Sequence, residues 1–512
     1  MKKDIITPLK FIVRGAIFVF IGMVISKLLT FIYMVFIARY FGAEDYGVFS
    51  LALAITGVFY IIPILGIPPM LTNIISENLE RKNYRKIKNY SAFSVFISLI
   101  LSMIISILVF LSSEHISAYL KNKSLITILY ILSISIPFYS VCYIIYSIFI
   151  GFKKIEYKII SENIVLNFLK VVLTIAFGIA GFGLIGISAA YTIAWILVFI
   201  FSVILLFRKI VPLELGDFLF TDFKFIRLSL PILLTNFLGA IISYTDRIMI
   251  GYFKIVADVG IYNAALTLAQ ILLMPASFLS ALFLPIISET YIKEGIKSVR
   301  SLYKTVVRWA FYLTFPAYVV FLIFSKQVLY IIFGEEYVSA YIALIVLSSG
   351  YLLSFLSVPA YNVILMFKKT KSIFYIGLSS TFINILMNFV LIPKLGINGA
   401  AFASFLSYFI IFAAYSYATE KKLKIIGIEK KYLVKSIISA LLPAIFIYIL
   451  KDFININIFT VLLMLSIYII LYISLLFVFR GFYKVDIEIL LAIERKLGIN
   501  LEFLKKILRK II

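Results

Sequence analysis

Apolar stretches of about 20 residues recur along nearly the whole chain, and they constrain its fold more than any other feature. Each is long enough to cross a hydrocarbon core of roughly 30 Å as a helix. Only 14% of the 512 residues are charged, whereas soluble proteins carry about 25%. The short alternating strands of an outer-membrane barrel are absent from the sequence. The sequence therefore predicts an all-α, polytopic membrane protein with about 14 transmembrane helices.

The apolar runs are the predicted spans, numbered in chain order. No polar connection between them is long enough to hold a water-soluble domain. The first run lacks a small-residue cleavage site, so we expect a retained span rather than a signal peptide. The spans lie near 15–39, 46–66, 89–112, 124–151, 159–180, 183–207, 228–251, 257–286, 309–325, 338–367, 372–392, 396–418, 436–450 and 455–479.

Lysine and arginine are divided unevenly between the two sides that these spans define. The side holding the N-terminus collects 38 of the 48 basic residues, and the opposite side collects 7. The positive-inside rule then predicts that both termini are cytoplasmic and that the number of spans is even. This placement accounts for the net charge of +24 without nucleic acid, because the basic loops lie next to anionic lipid. We therefore predict a multi-pass protein of the cell membrane, with membrane lipids as partners and no nucleic acid.

Two segments, Ile37–Ser50 and Met249–Asn263, resemble each other at one constant offset, which pairs Gly47 with Gly260. Repeated membrane units are typical of transporters with a two-sided pathway. Six spans in each copy is an even number, so the copies enter the membrane in the same direction. Other pairs at this offset are Gly183 with Gly396, Gly186 with Gly399, and Ala190 with Ala403. The predicted parts are an N-lobe of spans 1–6 (1–225), a C-lobe of spans 7–12 (226–425), and spans 13–14 with an amphipathic basic cytoplasmic tail (426–512).

Spans 2 and 8, which correspond in the repeat, both carry proline, and Pro68 lies just past the end of span 2. Proline removes a backbone hydrogen bond and kinks a helix, which membrane proteins tolerate when neighbours satisfy the freed carbonyls. Proline is also common in membrane spans generally. Corresponding kinks nevertheless favour a cavity lined by spans 2 and 8. The predicted hinge residues are Pro63, Pro68, Pro275 and Pro285.

Two lysines lie deep in the predicted spans, where a charge is costly by several kcal/mol. Lys27 is about 12 residues, or roughly 18 Å, from either end of span 1. A lysine stem of about 6 Å cannot reach the interface from there. Lys170 is similarly deep in span 5. Each ammonium group needs a wet cavity, an anion, or a buried structural partner, and the few membrane acids favour the cavity.

Spans 7 and 8 carry further polar residues whose role the sequence leaves open. Asp246 and Arg247, near the outer end of span 7, can pair structurally or act on a substrate. Span 8 carries a row of polar residues on one helix face. Such a row can hold neighbouring helices together, with a stabilisation of about 0.6 kcal/mol per contact, or it can line a path for a hydroxyl-rich solute. Glu162, at the start of span 5, is a weaker candidate for binding a coupling cation. The candidate cavity residues are Lys27, Lys170, Asn236, Asp246, Arg247, Asn263 and Gln270.

Several classes of function lack the residues they need. The sequence has no G-x-x-x-x-G-K-[ST] phosphate-binding loop for ATP hydrolysis. Cys142 and His115 are single residues of their kinds, which excludes a disulfide within the chain and a histidine cluster for metal or general-base work. No deep pair of carboxylates is available for glycosyl chemistry. We therefore expect no catalytic residues, no metal and no cofactor.

Three segments carry motifs of a known family. The first is Arg39–Ala52, which reads Arg-Tyr-Phe-Gly-Ala-Glu-Asp-Tyr-Gly-Val-Phe-Ser-Leu-Ala. The second joins Asp246–Phe253 to Val259–Tyr262, and the third is Asn384–Ala401. Together they resemble the polysaccharide transporter flippases of the multidrug/oligosaccharidyl-lipid/polysaccharide exporter superfamily. The likeness covers about 12 of the predicted spans and identifies the family but not its cargo.

This resemblance implies an alternating-access flippase for polyprenyl-pyrophosphate oligosaccharides, used in surface polysaccharide or glycoprotein biosynthesis. It implies basic cavity residues at the pyrophosphate, a role that fits Lys27 and Lys170. Coupling to a Na+ or H+ gradient and partnership with glycan-assembly enzymes are expectations from the family alone. The nearest alternative is a cation-coupled exporter of drugs or metabolites. A membrane-embedded glycan polymerase or ligase is more distant, since it predicts a large outer loop that the sequence lacks.

Overall fold

The computed structural model describes residues 3–210, 224–424, 430–450, 458–479 and Gly481. Within these residues every regular element is helical. The predicted amphipathic tail at the end of 426–512 lies outside them. The helices are α1 (Lys3–Ile61), α2 (Ile67–Glu80), α3 (Tyr84–Tyr119), α4 (Ser124–Ser133), α5 (Ser135–Gly151), α6 (Ile155–Lys158), α7 (Leu166–Ile179), α8 (Gly183–Lys209), α9 (Lys224–Phe253), α10 (Val256–Ala269), α11 (Met274–Glu294), α12 (Ile296–Ile332), α13 (Tyr341–Met366), α14 (Thr370–Leu395), α15 (Ile397–Leu423), α16 (Lys430–Leu450) and α17 (Ile458–Val478). Short 3-10 turns at Ile62–Ile64, Gln270–Leu273 and Glu335–Ala340, and a π-helix at Ile159–Val165, lie between them.

Twelve helical segments of the described chain are long and apolar enough to cross a membrane. One of them, Ile21–Glu80, is 60 residues long, which is far more than the roughly 20 that one crossing needs. It breaks at Gly42, where φ is 79°, a backbone conformation that glycine adopts without strain. If this segment is counted as two crossings and the 21-residue apolar helix α17 is added, the number of crossings equals the predicted number of about 14. The prediction of an all-α, polytopic membrane protein is therefore confirmed.

The chain forms two compact units. The N-unit comprises the described residues of Gly15–Ala264 and Asn388–Ile397, and the C-unit comprises those of Met1–Arg14, Ala265–Met387 and Asn398–Ile512. Helix α9 and the first part of α10 therefore pack with the helices that precede them. The predicted lobes describe internal repetition, which grouping by contact does not test, so they stay a prediction.

In the N-unit, α1 beyond its break at Gly42 crosses α10 at a contact between two glycines. A Cβ atom on Gly47 would overlap the carbonyl oxygen of Val256, and one on Gly260 would overlap that of Ala43. Ala43 and Val256 correspond at the same offset that pairs Gly47 with Gly260. The contact is therefore reciprocal, as expected where equivalent positions meet at a two-fold or pseudo-two-fold axis.

In the C-unit, a proline inside α12 provides the attachment point for the last two helices. Pro316 has no N–H, so the carbonyl oxygen of Tyr312 loses its usual helical donor. The Tyr472 hydroxyl donates to that oxygen at 3.0 Å, and the Tyr468 hydroxyl donates to the carbonyl oxygen of Pro316 at 3.1 Å. Both tyrosines belong to α17, and α16 joins the same buried cluster through Ala444. Spans 13 and 14 are thus part of the core of this unit.

Candidate functional site

The start of span 5 is irregular, and this irregularity brings a buried amide into the interior of the N-unit. Residues Ile159–Val165 form a π-helix, a rare geometry that is frequent at functional sites. The Asn167 amide donates to the carbonyl oxygens of Asn163 at 2.9 Å and Glu162 at 3.3 Å. Asn167 thus supplies a donor to the carbonyls of the widened turn, which buried backbone groups require.

The same amide joins α7 to α1 on either side of Lys27. Asn167 Nδ2 donates to Ser26 Oγ at 3.0 Å, and Thr30 Oγ1 donates to Asn167 Oδ1 at 3.2 Å. Lys27 is exposed, and its ammonium group makes no hydrogen bond or ion pair with any residue that the structure describes. The helix that carries Lys27 is therefore fixed by its neighbours, while the charge itself stays available.

Lys170 lies on the same face of α7 as Asn167, three residues further along the helix. Its Nζ atom is 4.6 Å from the ring centroid of Tyr191 and 5.5 Å from that of Trp195, both on α8. Ring faces attract a cation by about 2 kcal/mol or more when the contact is desolvated. Among the described residues no carboxylate oxygen lies within 4.0 Å of the Lys170 ammonium group. Aromatic faces, rather than a salt bridge, hold this charge inside the N-unit.

Glu162 is the acid whose charge acts on Lys170. Its own carboxylate contacts Lys158 Nζ at 3.5 Å, one turn before it on the chain. Glu162 and Lys158 are both only part-exposed, with 20% and 33% of their side-chain surfaces accessible. Glu162 therefore has Lys158 as its cationic partner, so Lys170 can attract an anion other than Glu162.

Tyrosines from spans 2 and 4 extend the aromatic surface next to Trp195. Tyr139 stacks on Tyr60 with ring centroids 4.3 Å apart and meets Trp195 edge-on at 4.8 Å. Tyr143, one turn further along α5, stacks on Tyr139 at 4.6 Å. The hydroxyls of Tyr60 and Ser135 are 2.6 Å apart. Tyr60 and Trp195 are buried, and Tyr139 and Tyr143 are part-exposed, so only the last two could contact a ligand with apolar faces and hydroxyl edges, such as a sugar ring.

Asp246 lies in a separate buried network. The Tyr262 hydroxyl donates to Asp246 Oδ2 at 2.5 Å, and Asn388 Nδ2 donates to Asp246 Oδ1 at 2.7 Å. Asp246 is 5% exposed, and a buried carboxylate requires such donors. These bonds link α9, α10 and the end of α14. They favour the structural one of the two roles that the sequence leaves open for Asp246.

Arg247 combines structural contacts with an unused donor. Its guanidinium group donates to the carbonyl oxygen of Ser243 at 3.1 Å and to Asn263 Oδ1 at 3.4 Å, and it lies 5.1 Å from the Tyr244 ring. Asn263 in turn donates to the Tyr46 hydroxyl at 2.7 Å. Arg247 Nε is buried and has no hydrogen-bond partner among the described residues. Because this donor is buried, a further acceptor could reach it only if the surrounding side chains moved.

An open polar face on α9 leads away from Arg247. Asn236 and Ser243 are exposed, and a Cβ atom on Gly239 between them would meet nothing within 4 Å. The intervals of three and four residues place these positions and Arg247 on one side of the helix. The face thus carries Asn236 and Arg247, the candidate cavity residues of span 7 other than Asp246.

The spans predicted to bend are both interrupted by a 3-10 turn. In span 2 the turn Ile62–Ile64 contains Pro63, and in span 8 the turn begins at Gln270, whose amide donates to the Tyr351 hydroxyl at 3.4 Å. The predicted kinks therefore lie near the expected positions, while their role as hinges stays a prediction. Of the remaining prolines, Pro68 lies in the first turn of α2, Pro275 in the first turn of α11, and Pro285 within α11.

Sequence reasoning missed Asn167 and the aromatic residues. Asn163, Asn167, Lys170 and Thr174 follow each other at intervals of four, three and four residues, so they form a polar stripe on span 5 that the face rule could have found. The aromatic pairs in spans 4 and 6 are also spaced by four residues. These aromatic residues lie near the middle of their spans, whereas tyrosine and tryptophan of membrane proteins are enriched at the interfaces. That unusual position is the feature that could have identified them.

Two family models match the chain. Residues 12–291, more than half of the chain, match the model described as polysaccharide biosynthesis protein. Residues 231–390 match the model described as MatE.

Curated relatives match most of the chain at low identity. An uncharacterized membrane protein of Methanocaldococcus jannaschii is 23% identical over 441 residues, which cover 81% of this chain and 85% of that protein. Agl15 of Haloferax volcanii, named a probable low-salt glycan biosynthesis flippase, is 24% identical over 77% of this chain and 80% of its own length.

Solved structures share the fold. The lipid II flippase MurJ, in an inward closed conformation, has a TM-score of 0.74 at 18% identity and covers 90% of this chain and 98% of its own. A multidrug resistance MATE family transporter, in an inward-facing conformation, has a TM-score of 0.71 at 16% identity and covers 81% of this chain and 98% of its own.

Proposed function

The chain belongs to the polysaccharide biosynthesis protein family, and from that membership we propose that it is an alternating-access flippase for a lipid-linked oligosaccharide. The cargo is a glycan on a polyprenyl pyrophosphate, moved across the cell membrane for surface polysaccharide or glycoprotein biosynthesis. The names of two similar proteins, a probable glycan biosynthesis flippase and a lipid II flippase, support this class of cargo.

The observation that carries the proposal is the ammonium group of Lys170 between Tyr191 and Trp195. A cation without a contact salt bridge, inside a membrane unit, is expensive to retain unless it serves an anion. The pyrophosphate of this cargo is esterified to the lipid at one end and to the sugar at the other, so it is a dianion, which lysine binds as a point charge. The part-exposed Tyr139 and Tyr143 give the sugar residues an aromatic surface to contact. A cationic drug would instead require an unpaired carboxylate at this position.

In the proposed cycle the headgroup leaves the cytoplasmic leaflet and exchanges its hydration for Lys27 and Lys170. Lys27 is exposed on α1, so it meets the phosphate first, and Lys170 holds it next to the aromatic cluster. The polyprenyl tail stays in the lipid throughout, because burying it in a polar interior gains nothing. Release follows when the site opens to the other leaflet.

The first test is transport by the Lys170→Gln variant in proteoliposomes. The substrate is a fluorescent polyprenyl-pyrophosphate oligosaccharide, and a membrane-impermeant quencher reports how much reaches the opposite leaflet. Loss of a charge-assisted contact worth about 1.5–3 kcal/mol lowers the transport rate at subsaturating substrate by roughly 10-fold or more. The Lys170→Arg variant retains the charge and should retain more transport than Lys170→Gln.

The matched control is Lys297→Gln, which removes the same charge from an exposed position on α12. It should transport as the wild type does. All variants are first compared in thermal unfolding, so that a loss of fold is not read as a loss of transport. Wild-type transport by a folded Lys170→Gln variant would contradict the assigned role of Lys170.

A second candidate is a cation-coupled exporter of drugs or metabolites, which the MatE match over residues 231–390 favours. The same proteoliposomes distinguish the two functions. A flippase moves the lipid-linked glycan without accumulating an organic cation, and an exporter accumulates ethidium against a Na+ or H+ gradient. Ethidium accumulation with no movement of the glycan would replace the flippase proposal.

A further inference from the structure

A cleft of about 430 Å³ opens at one end of the C-unit, where α13 ends, α14 begins and α15 ends. The positive-inside rule predicts that this end is cytoplasmic. Helix α13 terminates at a left-handed residue, Lys368 with φ 54°, and the Lys369 N–H donates to the carbonyl oxygen of Ile364 at 3.1 Å. This tight cap turns the chain straight into α14, so that Lys369 stands at the cleft.

The rim of the cleft is strongly basic. Lys369, Lys421 and Lys422 line it, and all three are exposed. None of the three forms an ion pair with an acid in the described part of the chain. The beginning of the 26-residue helix α14 adds the positive end of its dipole. Glu420, the acid next to Lys421, is not among the residues that line the cleft.

The floor of the cleft is apolar. Val363 and Ile364 are buried, and Phe367 and Ala418 are part-buried beside them. Lys422 Nζ lies 5.0 Å from the centre of the Phe367 ring, so its charge is held at the edge of the apolar floor by the ring. A free inorganic anion would make no favourable contact with an apolar floor. An apolar floor under a cationic rim fits a molecule with an anionic head and a hydrocarbon body.

The depth of the cleft fits a membrane lipid as well. The candidate membrane spans Glu335–Met366 and Ile397–Leu423 both end beside the cleft, so the cleft lies where these spans leave the hydrocarbon. Tyr417, on the rim, is 67% exposed, and tyrosine is enriched at this headgroup level. Basic pockets between helices on the cytoplasmic side are suited to anionic headgroups.

We propose that this cleft is a binding site for an anionic phospholipid of the surrounding membrane, separate from the transported substrate. The phosphate lies among Lys369, Lys421 and Lys422, and the glycerol and first acyl carbons lie on Val363, Phe367 and Ala418. The bound lipid holds the ends of α13, α14 and α15 together and stabilises the C-unit.

The test measures thermal unfolding of the delipidated protein in a neutral detergent during titration with phosphatidylglycerol. Phosphatidylglycerol should raise the unfolding temperature, and phosphatidylcholine at equal concentration should not. The variant Lys369→Gln/Lys421→Gln/Lys422→Gln should need about 10-fold more phosphatidylglycerol or more for the same rise. The control Arg85→Gln/Lys86→Gln/Lys88→Gln removes three charges from another basic turn of the same predicted side and should respond as the wild type does.

Two further arms separate the cleft from simpler explanations. Ala418→Phe fills the floor without changing charge and should weaken the response to phosphatidylglycerol as the triple variant does. Glycerol phosphate, which has the headgroup but no chains, should not stabilise the protein at the same concentrations. Each variant is compared with its own lipid-free unfolding temperature, so a less stable variant still gives a result. An equal response of both triple variants, or an equal effect of glycerol phosphate, would overturn the proposal.

Discussion

At the scale of single residues, Asn167 determines the geometry of the N-unit site more directly than either lysine. Its amide holds α1 through Ser26 and Thr30 and also satisfies two carbonyls of the π-helix. Asn167→Leu keeps a similar volume but leaves these groups without partners. We expect the free energy of unfolding to fall by about 1–3 kcal/mol, measured by thermal unfolding in detergent.

Asn163→Leu is the matched control for that prediction. Asn163 lies one turn earlier on the same face, and its side chain makes no hydrogen bond within the described chain, although its carbonyl accepts one. Its loss of stability should be clearly smaller than that of Asn167→Leu. Equal losses would mean that the Asn167 side-chain bonds contribute little.

The sequence identifies Lys27 and Lys170 because a charged residue inside an apolar run can be recognised without knowledge of the three-dimensional structure. It does not identify what holds Lys170, since Tyr191 and Trp195 come from the next span and their contact depends on how α7 packs on α8. Asp246 shows the opposite case. The sequence leaves its role open, and its two donors, Tyr262 and Asn388, are 16 and 142 residues away.

At the scale of whole helices, the crossing of α1 and α10 depends on the absence of side chains at two positions. A Cβ atom on Gly47 would overlap the Val256 carbonyl oxygen, which belongs to the backbone and cannot rotate away. Gly47→Ala must therefore push the helices apart. Overpacking of this kind costs about 1–3 kcal/mol, so we expect a lower unfolding temperature and weaker transport.

Gly239→Ala is the control for the same substitution on a helix with free space. A Cβ atom there would meet nothing within 4 Å, and alanine is preferred over glycine inside a helix by about 0.5–1 kcal/mol. Gly239→Ala should therefore be neutral or slightly stabilising. The close crossing would lose its importance if Gly47→Ala unfolded at the wild-type temperature.

Some of the helix breaks can be predicted from the sequence, and others cannot. Pro63 and Pro275 mark breaks because proline cannot continue a helix without losing a hydrogen bond. Gly183 and Gly396, which correspond in the repeat, both adopt a left-handed conformation, with φ of 54° and 58°. The π-helix Ile159–Val165 has no such marker, because its widened turn is supported by Asn167 and by contacts with another span.

At the scale of the whole molecule, hydrophobicity alone predicts the fold class, since the bilayer allows few other solutions for so many apolar runs. It does not predict that α9 packs with the helices before it. That grouping depends on close approaches such as Gly66, where a Cβ atom would come within 2.6 Å of the Leu233 amide nitrogen. Apolar helices in lipid associate by such fitting of shapes rather than by hydrophobicity, and one-dimensional patterns do not record it.

The charge pattern of the whole chain leads to a prediction about sidedness that single cysteines can test. Cys142 is buried and has no counterpart to pair with, so Cys142→Ser provides a cysteine-free background. In that background His115→Cys and Glu335→Cys should react with a membrane-impermeant maleimide in intact cells, because both positions are exposed and lie in predicted outer loops. Arg85→Cys and Lys297→Cys should react only after the membrane is permeabilised.

The four positions test the repeat as well as the orientation, because two lie in each predicted lobe. If each lobe has six spans, Arg85 and Lys297 are on one side and His115 and Glu335 are on the other. An odd number of crossings before α9 would invert the second pair alone, so that Lys297→Cys reacted from outside while Arg85→Cys did not. That result would exclude two lobes in the same direction, and the correspondence of Gly47 with Gly260 would then describe an inverted repeat. Labelling of both pairs as predicted would instead place the basic cleft of the C-unit on the cytoplasmic side, where anionic lipid can reach it.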